Sequence, residues 1–198
     1  MMERGEPRAR ARDGFFCYSR RMPLAPGYFL TWHTYGTWIH GDGAGSVDDS
    51  NNEFGAPRLA PDPARFVRAV RRQSSPPFVL SPIARQLVSK VMREHCRIRD
   101  WSLRALNVRS NHVHVVLAEP EVPPETIVKQ LKEWGTRKLR SHRLAGPSQR
   151  VWADHASTIY LFEPGALAKQ THYVNEMQDD PPPGHGRPDW QRTYFPRE

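Results

Sequence analysis

Two histidines one residue apart are the part of the sequence best suited to binding a metal ion. His112 and His114 lie in the segment SNHVHVVL, whose alternation is typical of a β-strand. Side chains alternate between the two faces of a strand, so both imidazoles lie on one face and the intervening valine on the other. Two imidazoles on one face can bind one divalent cation from the same side. The alternative is a strand face that only meets solvent, and the spacing by itself leaves it open.

A second group of reactive and ligating side chains lies on the helix predicted from Pro164 to about Gln178. Residues three and four apart on a helix share a face, so Tyr173 and Glu176 point the same way, with Gln178 somewhat rotated from them. A helical tyrosine is more commonly a core residue. The polar residues around Tyr173 favour a role in chemistry, and both interpretations stay open at this point.

The composition limits the classes of protein to which the chain can belong. Its 198 residues carry 29 Lys and Arg against 21 Asp and Glu, a formal net charge of +8, which favours a polyanionic partner. The length predicts a single domain and is short for a (β/α)₈ barrel. No apolar run is long enough to span a membrane. Cys17 and Cys96 lack the spacing of a metal site, which fits a reducing, cytoplasmic compartment.

The secondary structure that must position these side chains follows from turn signals and hydrophobic periodicity. The predicted elements are a strand at 28–35, a long polar stretch at 36–63, a strand at 77–81, a helix at 82–100, strands at 102–108 and 112–117, a helix at 124–144, a strand at 158–162 and a helix at 164–178. The central order β-α-β-β-α-β predicts an α+β, ferredoxin-like fold, with an antiparallel sheet and two helices on one face. The other face carries the two histidines and is left for the C-terminal, tyrosine-bearing helix.

Composition also divides the chain into an arm, one domain and a tail. Residues 1–21 are basic and aperiodic, which predicts a disordered arm. Residues 22–180 are expected to form a single domain that includes the long loop 36–63. Three consecutive prolines begin the segment 181–198, which is expected to be a flexible tail.

Several separate blocks of the sequence resemble the HUH-class single-tyrosine transposases, which include insertion-sequence enzymes and REP-associated tyrosine transposases. The string NVRSNHVHVVL is similar to the metal-binding strand of that family. The other similar blocks are YFLTWHTYGTWIHGD (28–42), GSVDDSNNEFGAPRL (45–59), EHCRIRDW (94–101), RVWADHASTIYL (150–161) and YVNEMQ (173–178). The resemblance covers about residues 24–180, so the domain at 22–180 is expected to be a transposase-like catalytic domain.

The resemblance implies a defined chemistry and a role for each matched residue. Members of the family cleave single-stranded DNA with a tyrosine nucleophile, keep a 5′-phosphotyrosine link, bind Mg²⁺ or Mn²⁺ and are commonly homodimers. His112 and His114 match the metal-binding histidines, and Tyr173 matches the nucleophile. A tyrosine hydroxyl ionises only near pH ~10, so such chemistry benefits from a cation that polarises the scissile phosphate.

The third metal ligand is where this chain departs from the family pattern. Better-known members carry Gln or Asn four residues after the tyrosine, and Met177 occupies that position here. A thioether does not bind a hard cation such as Mg²⁺. In the branch that this chain most resembles, a Gln follows the tyrosine by five residues, which matches Gln178. Glu176 is the alternative, because carboxylates suit Mg²⁺.

The resemblance also gives the basic and aromatic side chains a DNA partner. Cationic residues gather in the C-terminal half of the helix at 124–144, and those expected to bind DNA are Lys132, Arg137, Lys138 and Arg140. Trp38, beside the Gly-rich loop, is expected to stack on a base. Cations near a helix C-terminus also complement the helix dipole, so a merely solvated basic face is the alternative.

The function predicted from these residues is a DNA transposase that cleaves and rejoins single-stranded or hairpin DNA. Two other classes stay open. One is a domesticated DNA-hairpin-binding protein that keeps the fold with little or no transposition, which Met177 favours. The other is a metal-dependent RNA endonuclease. A covalent protein–DNA adduct separates the first class from both others.

Overall fold

The computed structural model describes residues 25–39, 41 and 59–177. Within them the chain forms β1 (Gly27–His33), α1 (Pro63–Arg71), α2 (Pro82–Ile98), β2 (Ser102–Val108), β3 (His112–Ala118), α3 (Pro124–Ser141), β4 (Ser157–Tyr160) and α4 (Ala166–Glu176). The predicted arm at 1–21, the tail at 181–198 and most of the loop at 36–63 lie outside the described residues. None of the helices in the described ranges is long and apolar enough to cross a membrane.

The strands form one antiparallel sheet in the order β2-β3-β1-β4. The connectivity β1-α2-β2-β3-α3-β4 is that of the ferredoxin-like fold, so the predicted α+β architecture is confirmed. β3 is a central strand, with β1 on one side and β2 on the other. In this register Thr31 lies opposite His114, and His33 lies opposite His112. Both predicted metal-binding histidines therefore lie on a central strand of the sheet, near one end of the β1–β3 pair.

Helices α2 and α3 cover one face of the sheet and enclose the main hydrophobic core. The central strands contribute alternate residues to it, which are Tyr28, Leu30 and Trp32 of β1 and Val113, Val115 and Leu117 of β3. α2 begins as predicted, because Pro82 takes the first helical turn and the Ser81 hydroxyl accepts a hydrogen bond from the Ala84 N–H at 3.2 Å. The predicted two-helix layer is thus present on this face.

Helix α4 lies on the opposite face, over a second and smaller core. That core consists of Phe29, Ala105, Val116, Leu161 and Val174. The side-chain amide of Asn107 on β2 donates a hydrogen bond to the carbonyl oxygen of Val174 at 3.2 Å. Alternate residues of β3 face this side, so α4 packs on the same face of the sheet as the two histidines.

The strand predicted at 77–81 is wrong. Phe78 and Leu80 are buried and Val79 is exposed, which gives this segment the alternation of a strand. Its hydrogen bonds, however, go to two different places. The Phe78 N–H donates to the Tyr35 carbonyl and the Leu80 N–H donates to the Ser110 carbonyl, both at 2.8 Å. No ladder with one partner strand results, and the segment is irregular.

Helix α1 was not predicted, and several element ends differ from the prediction by a few residues. α1 begins after Asp62, whose carboxylate accepts a hydrogen bond from the Arg65 N–H at 2.9 Å. Its sole buried residue is Phe66, so its sequence lacks a broad apolar stripe. α3 ends at Ser141 instead of near Leu144, within the usual uncertainty of helix ends.

Candidate active site

The two histidines of β3 lie side by side on the sheet face that α4 covers. Their ring centroids are 4.7 Å apart. His114 is 8% exposed, whereas His112, nearer the end of the strand, is half-buried. The His114 ring stacks on Phe29 of β1, with centroids 5.4 Å apart. The histidine pair therefore has one member inside the smaller core and one at its edge.

Hydrogen bonds to neighbouring side chains orient both imidazoles. His112 Nδ1 lies 2.8 Å from Asn111 Oδ1, and an amide oxygen only accepts, so Nδ1 carries the proton and Nε2 the lone pair. His114 Nδ1 lies 2.8 Å from Thr31 Oγ1, across the β1–β3 pairing. Since a protein oxygen holds Nδ1 in both rings, coordination of a cation by this pair would use Nε2.

Sequence reasoning missed Thr31, Asn111 and the place of His33. His33 lies opposite His112 on β1, with ring centroids 5.7 Å apart, and its ring also packs on Trp38 at 4.2 Å. The places of Thr31 and His33 follow from the register between β1 and β3, which no local sequence pattern specifies. Asn111 was the one available signal, because it is adjacent in sequence to His112.

Tyr173 on α4 lies beside His114, although the two residues are 59 positions apart in the sequence. Its ring centroid is 6.2 Å from that of His114 and 6.2 Å from that of Phe29. The side chain is 38% exposed, so the ring contacts the smaller core while part of it meets solvent. The bond from Asn107 to Val174 anchors the helix next to this tyrosine. The structure thus brings Tyr173, His112 and His114 to one face of the sheet.

The expected third metal ligand is not brought to the histidines within the described ranges. There, no three side chains of the His, Cys, Asp and Glu types lie close enough together to hold a metal ion. Glu176 is exposed on α4 and does not complete such a group with His112 and His114. Met177 is 61% exposed at the end of α4. Gln178 lies outside the described residues, and its role stays a prediction.

Lys132, expected to bind DNA, is engaged with the protein itself. Its ammonium donates hydrogen bonds to the carbonyl oxygens of Ala153, Asp154 and His155, at 2.8, 3.2 and 3.3 Å. Burial lowers the pKa of Lys132 to about 8, against the opposing attraction of the Asp154 carboxylate. Lys132 therefore ties α3 to the loop that precedes β4.

The remaining side chains expected to bind DNA lie closer to the surface. Arg137 is exposed and lies over the Trp134 ring, 4.7 Å from its centroid. Arg140 is exposed and donates to the Gln149 carbonyl at 3.2 Å. Lys138 and Trp38 are half-buried. The C-terminal part of α3 therefore presents two arginines to solvent, and their binding to DNA stays a prediction.

Comparison with known proteins relates the central part of this chain to a family of transposases. Residues 68–159 match the family model of the IS200-like transposases, a little under half of the 198 residues. The matched part contains both histidines of β3. Over these residues the chain matches the IS200-like transposases, which supports the predicted family. No curated protein matches the chain significantly.

Two solved structures are similar to this chain. A candidate transposase from Deinococcus radiodurans is 16% identical with a TM-score of 0.43, and the similarity covers 87% of this chain and 95% of that one. A REP-associated tyrosine transposase bound to a REP hairpin is 13% identical with a TM-score of 0.44, and the similarity covers 78% of this chain and 68% of that one.

Proposed function

We propose that this protein cleaves and rejoins single-stranded or hairpin DNA through a 5′-phosphotyrosine on Tyr173, with Mg²⁺ or Mn²⁺ bound by His112 and His114. The observation that carries the proposal is the contact between Tyr173 and His114, whose ring centroids are 6.2 Å apart. That contact joins a phenol to a pair of imidazoles, in a chain whose central part matches the family model of the IS200-like transposases.

The residues present suit a divalent cation. Two imidazoles lie on one face with Nδ1 of each held by an oxygen, which is the usual arrangement of metal-binding histidines. Gln178 is the proposed third ligand, and Glu176, the alternative, would have to move to reach the two histidines. When bound, the cation would neutralise charge on the scissile phosphate.

The chain's own nucleophile accounts for both cleavage and rejoining. Tyr173 Oη forms a bond to phosphorus as the bond from phosphorus to the 3′-oxygen breaks. The phenol gives up one proton to solvent and the departing 3′-oxygen takes one up, so protons balance. The phosphotyrosine ester conserves the phosphodiester bond, and a 3′-hydroxyl can later reverse the step. The partial exposure of Tyr173 leaves its ring accessible to a DNA strand.

The covalent adduct is the direct test of this proposal. A single-stranded oligonucleotide labelled at its 3′ end, incubated with protein and Mg²⁺, should give a labelled protein band on a denaturing gel, and mass spectrometry should map the adduct to Tyr173. Tyr173→Phe should bind the same DNA but form neither adduct nor nick. Tyr160→Phe is the matched control, because Tyr160 is 45% exposed against 38% for Tyr173. An adduct that persists in Tyr173→Phe would contradict the assignment, and nicking without any adduct would indicate a water nucleophile.

A DNA-hairpin-binding protein with little strand transfer is the second candidate function. The observation that favours it is Met177, which occupies the usual ligand position and is 61% exposed. Under this alternative the protein binds a hairpin without forming an adduct, and Met177→Gln restores adduct formation. Under the first proposal the unmodified protein already forms the adduct, and Met177→Gln changes its yield little.

A further inference from the structure

Helix α1 presents arginines that the proposed chemistry does not use. The helix and its following residue read PARFVRAVRR, with no carboxylate, and Phe66 is its buried anchor. Arg68, Arg71 and Arg72 are exposed. Because positions three and four apart share a helix face, Arg68 stands beside both of the others. Within the described ranges none of these three guanidinium groups forms an ion pair with a carboxylate.

Both ends of α1 are fastened to the segment that follows β1. At the start of the helix, the Asp62 N–H donates to the Gly41 carbonyl at 3.2 Å. Gly41 has φ +88°, and a Cβ there would overlap the Asp62 carbonyl, so the two backbones are in direct contact. Beyond the end of the helix, the Ser74 N–H donates to the Tyr35 hydroxyl at 2.9 Å. The helix is therefore held in a fixed place.

The segment that follows β1 leaves the sheet at the end where His112 and His114 lie. His33, the last residue of β1, lies opposite His112. The next residue, Thr34, donates its N–H to the Asn111 carbonyl at 2.8 Å, which joins the segment to the turn before β3. The arginines of α1 thus extend the surface at the histidine end of the sheet. The other end of the sheet, where Ser102 pairs with Ala118, lies away from them.

We propose that Arg68, Arg71 and Arg72 bind the phosphate backbone of the single-stranded DNA segment that flanks the cleavage position. Guanidinium groups match phosphate oxygens in charge and in the geometry of paired N–H donors. Three such groups on one face, without carboxylate partners in the described ranges, favour a polyanion, and the proposed function makes DNA the expected one. The proposal rests on the proposed DNA chemistry and adds a strand-positioning surface to it.

The test is the salt dependence of DNA binding in a charge-matched pair of variants. Binding of fluorescein-labelled single-stranded DNA of mixed sequence is measured by anisotropy between about 50 and 200 mM salt. The variant R68Q/R71Q/R72Q should bind at least about tenfold more weakly at the lowest salt, and its slope of log K against log salt should be shallower by about 2. The control R97Q/R99Q/R104Q removes the same charge from exposed arginines around the other end of the sheet and should change the slope little.

A charge-conserving variant and a check of folding separate the loss of phosphate contacts from unfolding. R68K/R71K/R72K keeps the charge and should keep the slope, and circular dichroism checks that each variant is folded. If the glutamine triple variant is unfolded, the single variant R71Q should still lower the slope by about 0.7. Equal losses in the α1 and control variants, or no loss in either, would overturn the α1 proposal alone. Failure of the unmodified protein to bind single-stranded DNA would instead overturn the proposed function.

Discussion

Two uncharged side chains position the imidazoles of the candidate site. Thr31 Oγ1 and Asn111 Oδ1 each lie 2.8 Å from the Nδ1 atom of a histidine. Hydrogen-bond partners of this kind fix the ring orientation and tautomer of metal-binding histidines, and their loss commonly weakens metal affinity about 10- to 100-fold. Thr31 and Asn111 therefore matter to the proposed metal site without belonging to its ligand set.

Replacement of Thr31 by valine tests this positioning role. The change keeps the shape of the side chain and removes the hydroxyl that holds His114. We expect Mn²⁺ affinity to fall about 10-fold or more, measured by electron paramagnetic resonance of free Mn²⁺. Thr158→Val on β4 is the control and should bind Mn²⁺ normally. Unchanged affinity in Thr31→Val would show that the hydroxyl does not orient a metal ligand.

His114→Ala should abolish adduct formation at a measurable cost in stability. The histidine face was expected to lie outside the main core, and it does, but His114 is only 8% exposed between Phe29 and Tyr173. Loss of the buried imidazole should lower the free energy of unfolding by about 1–3 kcal/mol. Circular dichroism should still show a folded protein that binds DNA. His112→Ala, at the half-buried position, should cost less stability. Undiminished cleavage by the unmodified protein in excess chelator, or by either variant, would contradict the metal site.

At the scale of elements, the sequence predicted the helices and strands whose signals lie within a few neighbouring residues. α2 has a serine cap and a proline in its first turn, and β2 and β3 alternate around a tight turn, so all three follow from short-range chemistry. The His112–His114 pair was visible for the same reason. The contacts of Thr31 with His114 and of Asn107 with Val174 depend on strand register and helix docking, which short sequence windows do not contain.

The errors have equally specific causes. The segment 77–81 alternates because two of its side chains fill the core beneath an irregular backbone. α1 escaped prediction because it buries Phe66 alone and follows a stretch rich in Gly, Asp and Pro. Its stability comes from its attachment to the segment after β1, a long-range interaction.

Lys132 should prove to be a structural residue of α3. Its ammonium holds three carbonyl oxygens of the loop before β4, so Lys132→Met should lower the free energy of unfolding by about 1–3 kcal/mol. Lys129→Met, at an exposed position of the same helix, is the control and should change stability little. Thermal unfolding measures both. A Lys132→Met variant of normal stability with weakened DNA binding would instead make Lys132 a direct DNA contact.

The pH dependence of stability gives a second readout for Lys132. Its pKa is lowered to about 8 from the ordinary value of 10.5. Between those values the unfolded chain binds more protons than the folded protein, so this group makes the free energy of unfolding rise with pH across that interval. Lys132→Met should lack that part of the rise. Parallel pH profiles of the two proteins in urea unfolding would show that the lysine titrates normally in the folded state.

At the scale of the whole molecule, positive charge is displayed on two separate helices. The formal net charge is +8. α1 presents exposed arginines at the histidine end of the sheet, and the C-terminal part of α3 presents Arg137 and Arg140. Under the proposed function, both surfaces are expected to contact the DNA. The homodimer implied by the family resemblance stays a prediction, which light scattering of the protein with and without DNA would test.

Binding should prefer folded-back single strands over plain duplex and should weaken steeply with salt. Each phosphate neutralised contributes about −0.7 to −0.9 to the slope of log K against log salt, so contacts from both basic helices should give a slope well beyond −2. Only unpaired bases can stack on an aromatic ring such as Trp38 or reach the exposed part of Tyr173. Competition of a labelled hairpin having single-stranded flanks against an unlabelled duplex of the same composition measures this preference. Equal affinity for the two DNAs, or a slope near zero, would contradict this prediction. A preference for duplex would mean that the basic surfaces bind double-stranded DNA and that no single strand enters the candidate active site.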